Sequence, residues 1–231
     1  LKIVSPFMLP SPLKVLNTFI YKLTGGTTPD GANLIQHILA SLKIALGGYA
    51  VGVFIGVPLG IAMAWSRKFE MFAMPLFNLI RPVPALAWIP LMILWLGIGY
   101  LSKVGIIFFA AFISATINSY TGIKKTNQVH LWVARTFGAT NRQMLFKVAI
   151  PTALPMIFTG LRLALGSSWV ALVAAEMLAA TRGVGYMIYV GRMLGRPDII
   201  IVGMITIGGI GLIMSYGLEK LQRKYIGRGR K

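Results

Sequence analysis

Long apolar stretches alternate with short, positively charged segments along the chain. About 20 apolar residues in a helix cross the hydrocarbon of a bilayer, so stretches of this length predict membrane-spanning helices. The predicted spans are 44–65, preceded by an interfacial turn or two, and 71–96, 104–123, 156–180 and 199–216. The pattern therefore predicts an all-α polytopic membrane protein with five spans.

The first predicted span carries small residues on or near one helix face. They are Gly47, Gly48, Gly52, Gly56 and Gly60. Small residues let membrane helices approach closely. We therefore expect this face to pack against another helix.

The second predicted span is interrupted by Arg81-Pro82-Val83-Pro84. Proline removes helical hydrogen bonds, and backbone freed at membrane depth persists where it is buried in protein or lines a water-filled path. A cation at this depth faces such a path, snorkels to the interface or pairs within the bundle. Arg81, Pro82 and Pro84 are therefore candidates for a translocation path, with snorkelling or pairing as the alternative.

The fourth predicted span contains Arg162 and Glu176. They are separated by roughly 21 Å along a helix, so their side chains cannot pair with each other. Glu176 therefore pairs with an arginine or amide of another helix, or it faces the path.

A polar, basic segment separates the third and fourth spans. Residues 131–155 include Arg135 and Arg142, which are too polar for hydrocarbon, yet apolar residues give the segment one apolar side. This pattern predicts short helices on a protein or membrane surface, with a break at Gly138. Pro151 is tolerated because it lies near the start of the next helix.

Composition and charge set the orientation. The 231 residues are 56% hydrophobic and 12% charged, with a net charge of +18. Lys and Arg of membrane proteins collect in cytoplasmic loops, so the charge implies lipid contact and not nucleic-acid binding. We expect the segment 124–151 and the basic tail 217–231 in the cytoplasm. Residues 1–33 are then a periplasmic loop with an interfacial helix, and a cytoplasmic N-terminus requires a sixth span ahead of Leu1.

The sequence lacks the residues that disulfides, metal sites, covalent catalysis and ATP binding require. The sequence has no cysteine and two histidines, His37 and His130, so we predict no disulfide and no metal site. It has no nucleophile with a neighbouring base, so we predict no catalytic residue. It also has no GxxxxGK[ST] loop, so any ATP must bind to another subunit.

The polar segment resembles the EAA loop of the membrane subunits of bacterial ABC importers. The family pattern is Glu-Ala-Ala, three residues, Gly, nine residues and Ile-x-Leu-Pro. Here Gly138 is followed by nine residues and then Val148-Ala149-Ile150-Pro151, and Ala134 matches the last alanine. The chain departs from the pattern at Trp132, which stands where the family has its acidic residue.

The resemblance extends over nearly the whole chain. The matching stretches are SPFMLPSPLKVL at 5–16, RPVPALAWIPLMILWLGIG at 81–99 and TGLRLALGSSWVALVAAEMLAATRGVGYMI at 159–188. They are similar to permeases of taurine, nitrate, sulfonate and bicarbonate importers, most of all to taurine permeases.

This resemblance implies a type I ABC importer transmembrane domain (MetI-like), a single domain over 1–231 with a sixth span ahead of Leu1. The implied protein is not an enzyme. It is an inner-membrane permease of bacteria that moves a small anion, taurine or a related sulfonate, by alternating access. Nitrate or bicarbonate is the alternative substrate. The implied partners are two ATP-binding cassette subunits carrying ATP and Mg, a second copy of the permease, a periplasmic substrate-binding protein and membrane lipid.

The resemblance also assigns roles to residues. Those expected to couple to the ATPase are Ala134, Arg135, Gly138, Ala139, Arg142, Val148, Ile150 and Pro151. The path candidates are Arg81, Pro82, Pro84, Arg162, Ser168, Trp169 and Glu176. Guanidinium groups suit the oxygens of a sulfonate, so Arg81 and Arg162 are expected to face the substrate, with Ser168 and Trp169 as wall residues.

A stand-alone channel or secondary transporter is the main competing class. It predicts ion-coordinating carboxylates inside the membrane or an inverted repeat. Only Glu176 is available, and the spans show no repeat. An intramembrane enzyme is the second alternative, and it lacks the residues named above.

Overall fold

The computed structural model describes residues 10–226, which form ten α-helices, one 3₁₀ turn and one π turn. The first half contains α1 (Pro12–Leu23), α2 (Leu34–Trp65), α3 (Arg67–Ile80), the 3₁₀ turn Ala85–Trp88, α4 (Ile89–Leu96) and α5 (Tyr100–Lys124). The second half contains α6 (Gln128–Thr136), α7 (Asn141–Met144), the π turn Leu145–Ala149, α8 (Ile150–Ala179), α9 (Val184–Met193) and α10 (Pro197–Ile226).

Four helical stretches in the described residues are long and apolar enough to cross a membrane. They are Leu34–Trp65, Tyr100–Lys124, Asn141–Leu178 and Pro197–Tyr225. A fifth span exists if Arg67–Ile80 and Ala85–Leu96, which are bent by 80° at their junction, count together. The predicted break at Arg81–Pro84 is therefore confirmed, whereas the total of five spans stays a prediction.

Two spans are longer than the hydropathy pattern indicates. The first span was expected at 44–65 after an interfacial turn or two, and α2 forms one helix from Leu34 to Trp65. Asn33 and Gln36 cap its start reciprocally: the Gln36 N–H donates to Asn33 Oδ1 at 2.9 Å, and the Asn33 N–H donates to Gln36 Oε1 at 3.3 Å. At the other end of the chain α10 continues to Ile226, ten residues beyond the predicted limit of 216. The parts of the predicted terminal segments at 1–9 and 227–231 lie outside the described residues.

The described chain divides into two compact units. One contains residues 10–48, 86–107 and 169–214, and its core includes Leu34, Met187 and Val202. The other contains residues 49–85, 108–168 and 215–226. Small residues, Ala111, Ala115 and Ala164, form one core cluster of this second unit.

The glycine face of α2 packs against α5, as its small residues predict. A Cβ atom at Gly52 would lie 2.6 Å from the Ala111 Cβ, and one at Gly60 would lie 2.3 Å from the Thr116 carbonyl oxygen. Real Cβ atoms do not approach heavy atoms this closely. These positions therefore require glycine so that the helix backbones can touch.

We expect Gly60→Ala to lower the unfolding temperature in detergent, whereas Gly208→Ala will not. The methyl at position 60 meets backbone, which cannot rotate away, and overpacking of this kind costs about 1–3 kcal/mol. A Cβ at the helical residue Gly208 meets nothing within 4 Å, so this control carries only the change in helix propensity. Tryptophan fluorescence during heating measures both variants, and equal unfolding temperatures would contradict the packing argument.

Candidate functional site

The polar segment between α5 and α8 begins with a capped helix. The Asn127 side chain accepts a hydrogen bond from the Val129 N–H at 2.9 Å and so starts α6. The helix ends at Thr136, and Gly138 follows with a positive φ of 79°. The Gly138 N–H donates to the Arg135 carbonyl at 2.9 Å, and the Ala139 N–H donates to the Ala134 carbonyl at 3.0 Å. This pair of bonds is a Schellman motif, which explains why glycine occupies the predicted break.

A second capped turn follows the glycine directly. Thr140 and Gln143 form a reciprocal capping box, in which the Thr140 N–H donates to Gln143 Oε1 at 2.8 Å. The π turn then leads into α8, whose second residue is Pro151. The nine residues between Gly138 and Val148 therefore hold one short helix and most of a π turn, which set the distance from the break to the span.

One side of the segment is anchored to its own unit. Met144 is 3% exposed and Ala149 is fully buried. Ala149 packs in a cluster with Ile123 of α5 and with Ala153 and Ile157 of α8. The ends of these membrane helices therefore hold the segment in place.

The other side of the segment is apolar and exposed. Its large side chains are Val129, Trp132, Val133, Phe137 and Phe146, exposed by 52%, 62%, 50%, 87% and 65%. We call these five residues the apolar face. Val129, Trp132 and Val133 share one face of α6 by their spacing. Exposed apolar side chains on a polar segment are typical of a surface that contacts another protein or the membrane.

A basic cleft of about 330 Å³ adjoins this face. Trp132 lines it together with Lys124, Arg135, Gln128 and Asn141. Trp65 also lines the cleft, so its lining presents two tryptophan rings and two cations. Trp132 stands at the position where the loop pattern that the segment resembles has an acid.

The predicted coupling residues occupy both sides of the segment. Ala134, Ala139, Val148 and Ile150 are half-buried, and Arg135, Gly138, Arg142 and Pro151 are exposed. The structure therefore joins them in one continuous stretch of helix, turn and helix.

The path candidates are divided between the two units. Arg81, Pro82, Pro84 and Arg162 are exposed in the second unit, and Ser168 of that unit is 1% exposed. Trp169 belongs to the first unit, where its Nε1–H donates to the Ile207 carbonyl at 3.1 Å. Ser168 and Trp169 are neighbours in sequence but belong to different units.

Glu176 is fully buried in the first unit. The Ser41 hydroxyl lies 2.7 Å from its Oε1, and the Gly185 N–H donates to its Oε2 at 2.8 Å. A serine and a backbone amide thus hold this carboxylate.

Three side chains hold the start of α9, and two of them were not among the predicted site residues. The Gly183 N–H donates to His37 Nδ1 at 3.1 Å, and the Val184 N–H donates to Ser41 Oγ at 2.9 Å. Glu176 accepts from the next N–H, that of Gly185. His37 and Ser41 are four residues apart on one face of α2, a spacing that could have indicated a shared partner.

A second buried charge cluster also lies in the first unit. Lys22 Nζ lies 2.5 Å from Asp30 Oδ2, and His37 Nε2 lies 3.3 Å from the same oxygen. Burial alone would raise the pKa of Asp30, but hydrogen bonds from His37, Lys22 and Thr28 outweigh it and hold this pKa well below its usual range. The Pro29-Asp30-Gly31 turn was the available sequence signal, because it places a carboxylate near the helix start.

Within residues 10–226 no group of three or more His, Cys, Asp or Glu side chains could hold a metal ion. The candidate functional surface is the apolar face with its cleft, because large apolar side chains are exposed there on a polar segment.

Comparison with known proteins shows which family the chain belongs to. Residues 56–226 match the model of the family described as "Binding-protein-dependent transport system inner membrane component". The chain is 40% identical over 227 residues to the "Taurine transport system permease protein TauC" of Escherichia coli (strain K12), covering 97% of this chain and 81% of that one. It is 34% identical over 212 residues to the "Nitrate import permease protein NrtB" of a Synechocystis strain, covering 89% and 76%.

A solved structure shares the fold. A chain of the inward-facing MetNI methionine ABC transporter superposes with a TM-score of 0.72, covering 83% of this chain and 95% of that chain. The two are 17% identical, so this likeness concerns the fold alone.

Proposed function

Because the chain belongs to the family of inner membrane components of binding-protein-dependent transport systems, and is thus the permease subunit of an ABC importer and not an enzyme, we propose that it imports taurine or a related sulfonate. The taurine permease of Escherichia coli, alignable over 97% of the chain, supports this substrate. The observation that carries the proposed mechanism is the apolar face on the segment between α5 and α8.

The apolar face is the proposed docking surface for a cytoplasmic ATPase subunit. Aromatic anchors that insert into a partner's pocket dominate the binding energy of most interfaces. Phe137 and Trp132 are such anchors, since they are 87% and 62% exposed while the opposite side of the segment is held by Met144 and Ala149. Arg135, which lines the adjoining cleft, suits an acidic rim on that partner, whereas the other cation of the cleft, Lys124, is paired with Glu70.

Transport then follows from alternating access. ATP closes two ATPase subunits, their movement displaces the segment 124–151 of each permease copy, and the spans open toward a substrate-binding protein. Hydrolysis resets the cycle. This coupling requires contacts that differ between the two states, and the apolar face supplies contacts that only a docked partner can make.

Membrane orientation follows from charge. The segment 124–151 and the basic C-terminal end of α10 carry more Lys and Arg than the loops predicted on the other side of the membrane, so we place them in the cytoplasm. Lys220, Arg223 and Lys224 continue α10 as exposed helical residues and suit contact with anionic lipid. The inner membrane is therefore the site of action, with the substrate-binding protein on the opposite face.

Nitrate is the second candidate substrate. The Synechocystis nitrate permease is 34% identical to the chain, and a nitrate ion presents planar oxygens that guanidinium groups also bind. Bicarbonate shares this chemistry. The substrate therefore requires a direct test.

The test is ATP hydrolysis by the complete complex in lipid, with its substrate-binding protein, titrated with taurine, nitrate, bicarbonate and an alkanesulfonate. We expect stimulation by taurine or the alkanesulfonate. Stimulation by nitrate or bicarbonate alone would identify that anion as the substrate in place of a sulfonate. Import by the chain without any ATPase subunit would contradict the mechanism.

We expect Arg81→Gln combined with Arg162→Gln to lower taurine import at subsaturating substrate tenfold or more. A hydrogen bond to a charged group contributes about 1.5–3 kcal/mol, which corresponds to about tenfold or more in affinity. Radiolabelled uptake by the assembled complex measures the loss. Arg192→Gln is the control, because Arg192 is exposed and contacts the Tyr189 ring at 5.4 Å. Unchanged import by the double variant would remove both arginines from the path.

A further inference from the structure

A carboxylate in the first turn of α3 joins two side chains at the end of α5. Lys124 Nζ donates a hydrogen bond to Glu70 Oε2 at 2.7 Å, and the Tyr120 hydroxyl donates one to Glu70 Oε1. Lys124 Nζ also lies 5.5 Å from the centre of the Tyr120 ring. These three residues form one cluster, which we call the Glu70 clamp.

The clamp uses both oxygens of the carboxylate. Tyr120 and Lys124 are four residues apart and so share one face of α5. A single side chain of α3 therefore holds two successive turns of α5. This arrangement restricts sliding of the two helices more than one ion pair would, because the two contacts fix different points along α5.

The clamp is partly open to solvent. The Glu70 and Lys124 side chains are 21% and 41% exposed. Ion pairs this exposed contribute little to folding stability, so the removal of the charge is expected to leave the chain folded. A role in positioning can therefore be separated from a role in folding.

The place of the clamp in the chain indicates what it positions. Lys124 is the last residue of α5, directly ahead of the segment that carries the apolar face, and it lines the basic cleft together with Trp132. Arg81, where the bent pair breaks, lies at the far end of α3, roughly 16 Å from Glu70 along the helix axis. The clamp thus connects the proposed ATPase surface to the helix that ends at a path candidate.

We propose that Glu70 is a positioning residue through which movement of the segment 124–151 reaches α3 and the Arg81–Pro84 break. The inference rests on the proposed function. When the docked ATPase displaces the end of α5, the clamp makes α3 follow that displacement. Without the clamp, the ATPase still docks on the apolar face and hydrolyses ATP, but α3 no longer moves with α5.

The test measures solute imported per ATP hydrolysed by the complete complex in liposomes. The wild-type complex is measured first, and its ATP-dependent import tests the proposed function by itself. We then expect Glu70→Gln to lower the ratio roughly two- to thirtyfold, the range for residues that modulate coupling, while ATP hydrolysis persists. Tyr120→Phe, which removes one of the two contacts, is expected to lower it less. An unchanged ratio in Glu70→Gln would overturn the inference and leave the proposed function intact.

Two further variants test the cause. Glu219→Gln is the matched control, because Glu219 pairs with Arg223 at 2.6 Å in an exposed ion pair within α10; its ratio should equal that of the wild type. The double variant Glu70→Lys with Lys124→Glu reverses the clamp pair and should restore part of the ratio lost in Glu70→Gln. An equal loss in Glu219→Gln, or no recovery in the reversed pair, would overturn the assignment to the Glu70 clamp.

Discussion

Replacing Phe137 with alanine is expected to weaken association between this chain and its ATPase subunit by about thirtyfold or more. Phe137 is 87% exposed at the end of α6, next to the Gly138 turn. An aromatic anchor of an interface contributes at least about 2 kcal/mol, which corresponds to roughly this change in affinity. Titration of the ATPase subunit into the permease in nanodiscs measures the affinity, and taurine import should fall in parallel.

Phe54→Ala is the matched control for this prediction. Phe54 is 82% exposed on α2, in a stretch apolar enough to cross the membrane, so the same truncation removes an equally exposed ring away from the segment 124–151. Its ATPase affinity should equal that of the wild type. Equal affinities in Phe137→Ala and the wild type would show that the ATPase docks elsewhere.

Replacing Asp30 with alanine is expected to destabilise the first unit by about 3–5 kcal/mol. Lys22 is fully buried and Asp30 is 5% exposed, so the variant leaves a buried ammonium without its carboxylate, a change of this size in other proteins. Because the pKa of Asp30 is lowered in the folded state, its stabilisation is fully present at neutral pH; it declines as pH falls below the ordinary value of 3.8 and is gone once pH has fallen through the lowered value. Denaturant unfolding in detergent at pH 7 measures the effect.

A double variant separates loss of the pair from loss of volume. Lys22→Met with Asp30→Leu removes both charges and fills the space, so it should recover much of the stability lost in Asp30→Ala. Glu219→Gln, in an exposed pair, should change stability by about 1 kcal/mol or less. If Asp30→Ala unfolds like Glu219→Gln, the buried pair does not stabilise the unit.

Local patterns were sufficient for much of the fold. The glycine face of α2, the break at Arg81–Pro84 and the turn at Gly138 all follow from residues within a few positions of one another, and the structure confirms each. Backbone requirements of this kind depend on neighbours in sequence, so they can be read from it. The turns expected ahead of residue 44 are part of α2 itself, which begins at Leu34 because Asn33 and Gln36 cap it.

Contacts between side chains that are far apart in sequence could not be predicted from the sequence. Ser41 and Glu176 are 135 residues apart, and His37 and Gly183 are 146 apart. Glu70 meets Tyr120 and Lys124 across 50 and 54 residues. No periodicity links positions at these separations, so the sequence predicted that Glu176 has a partner on another helix or faces the path but could not identify Ser41, and it gave Glu70 no partner.

The sequence by itself determined the helical membrane class, the broken second span and the turn spacing of the segment between α5 and α8. These depend on apolar length, proline chemistry and glycine conformation, which are properties of local chain. Only the tertiary structure decided which charges are buried together and which apolar side chains of that segment face outward. Burial is a property of packed helices, and a helix buries a given side only where another helix covers it.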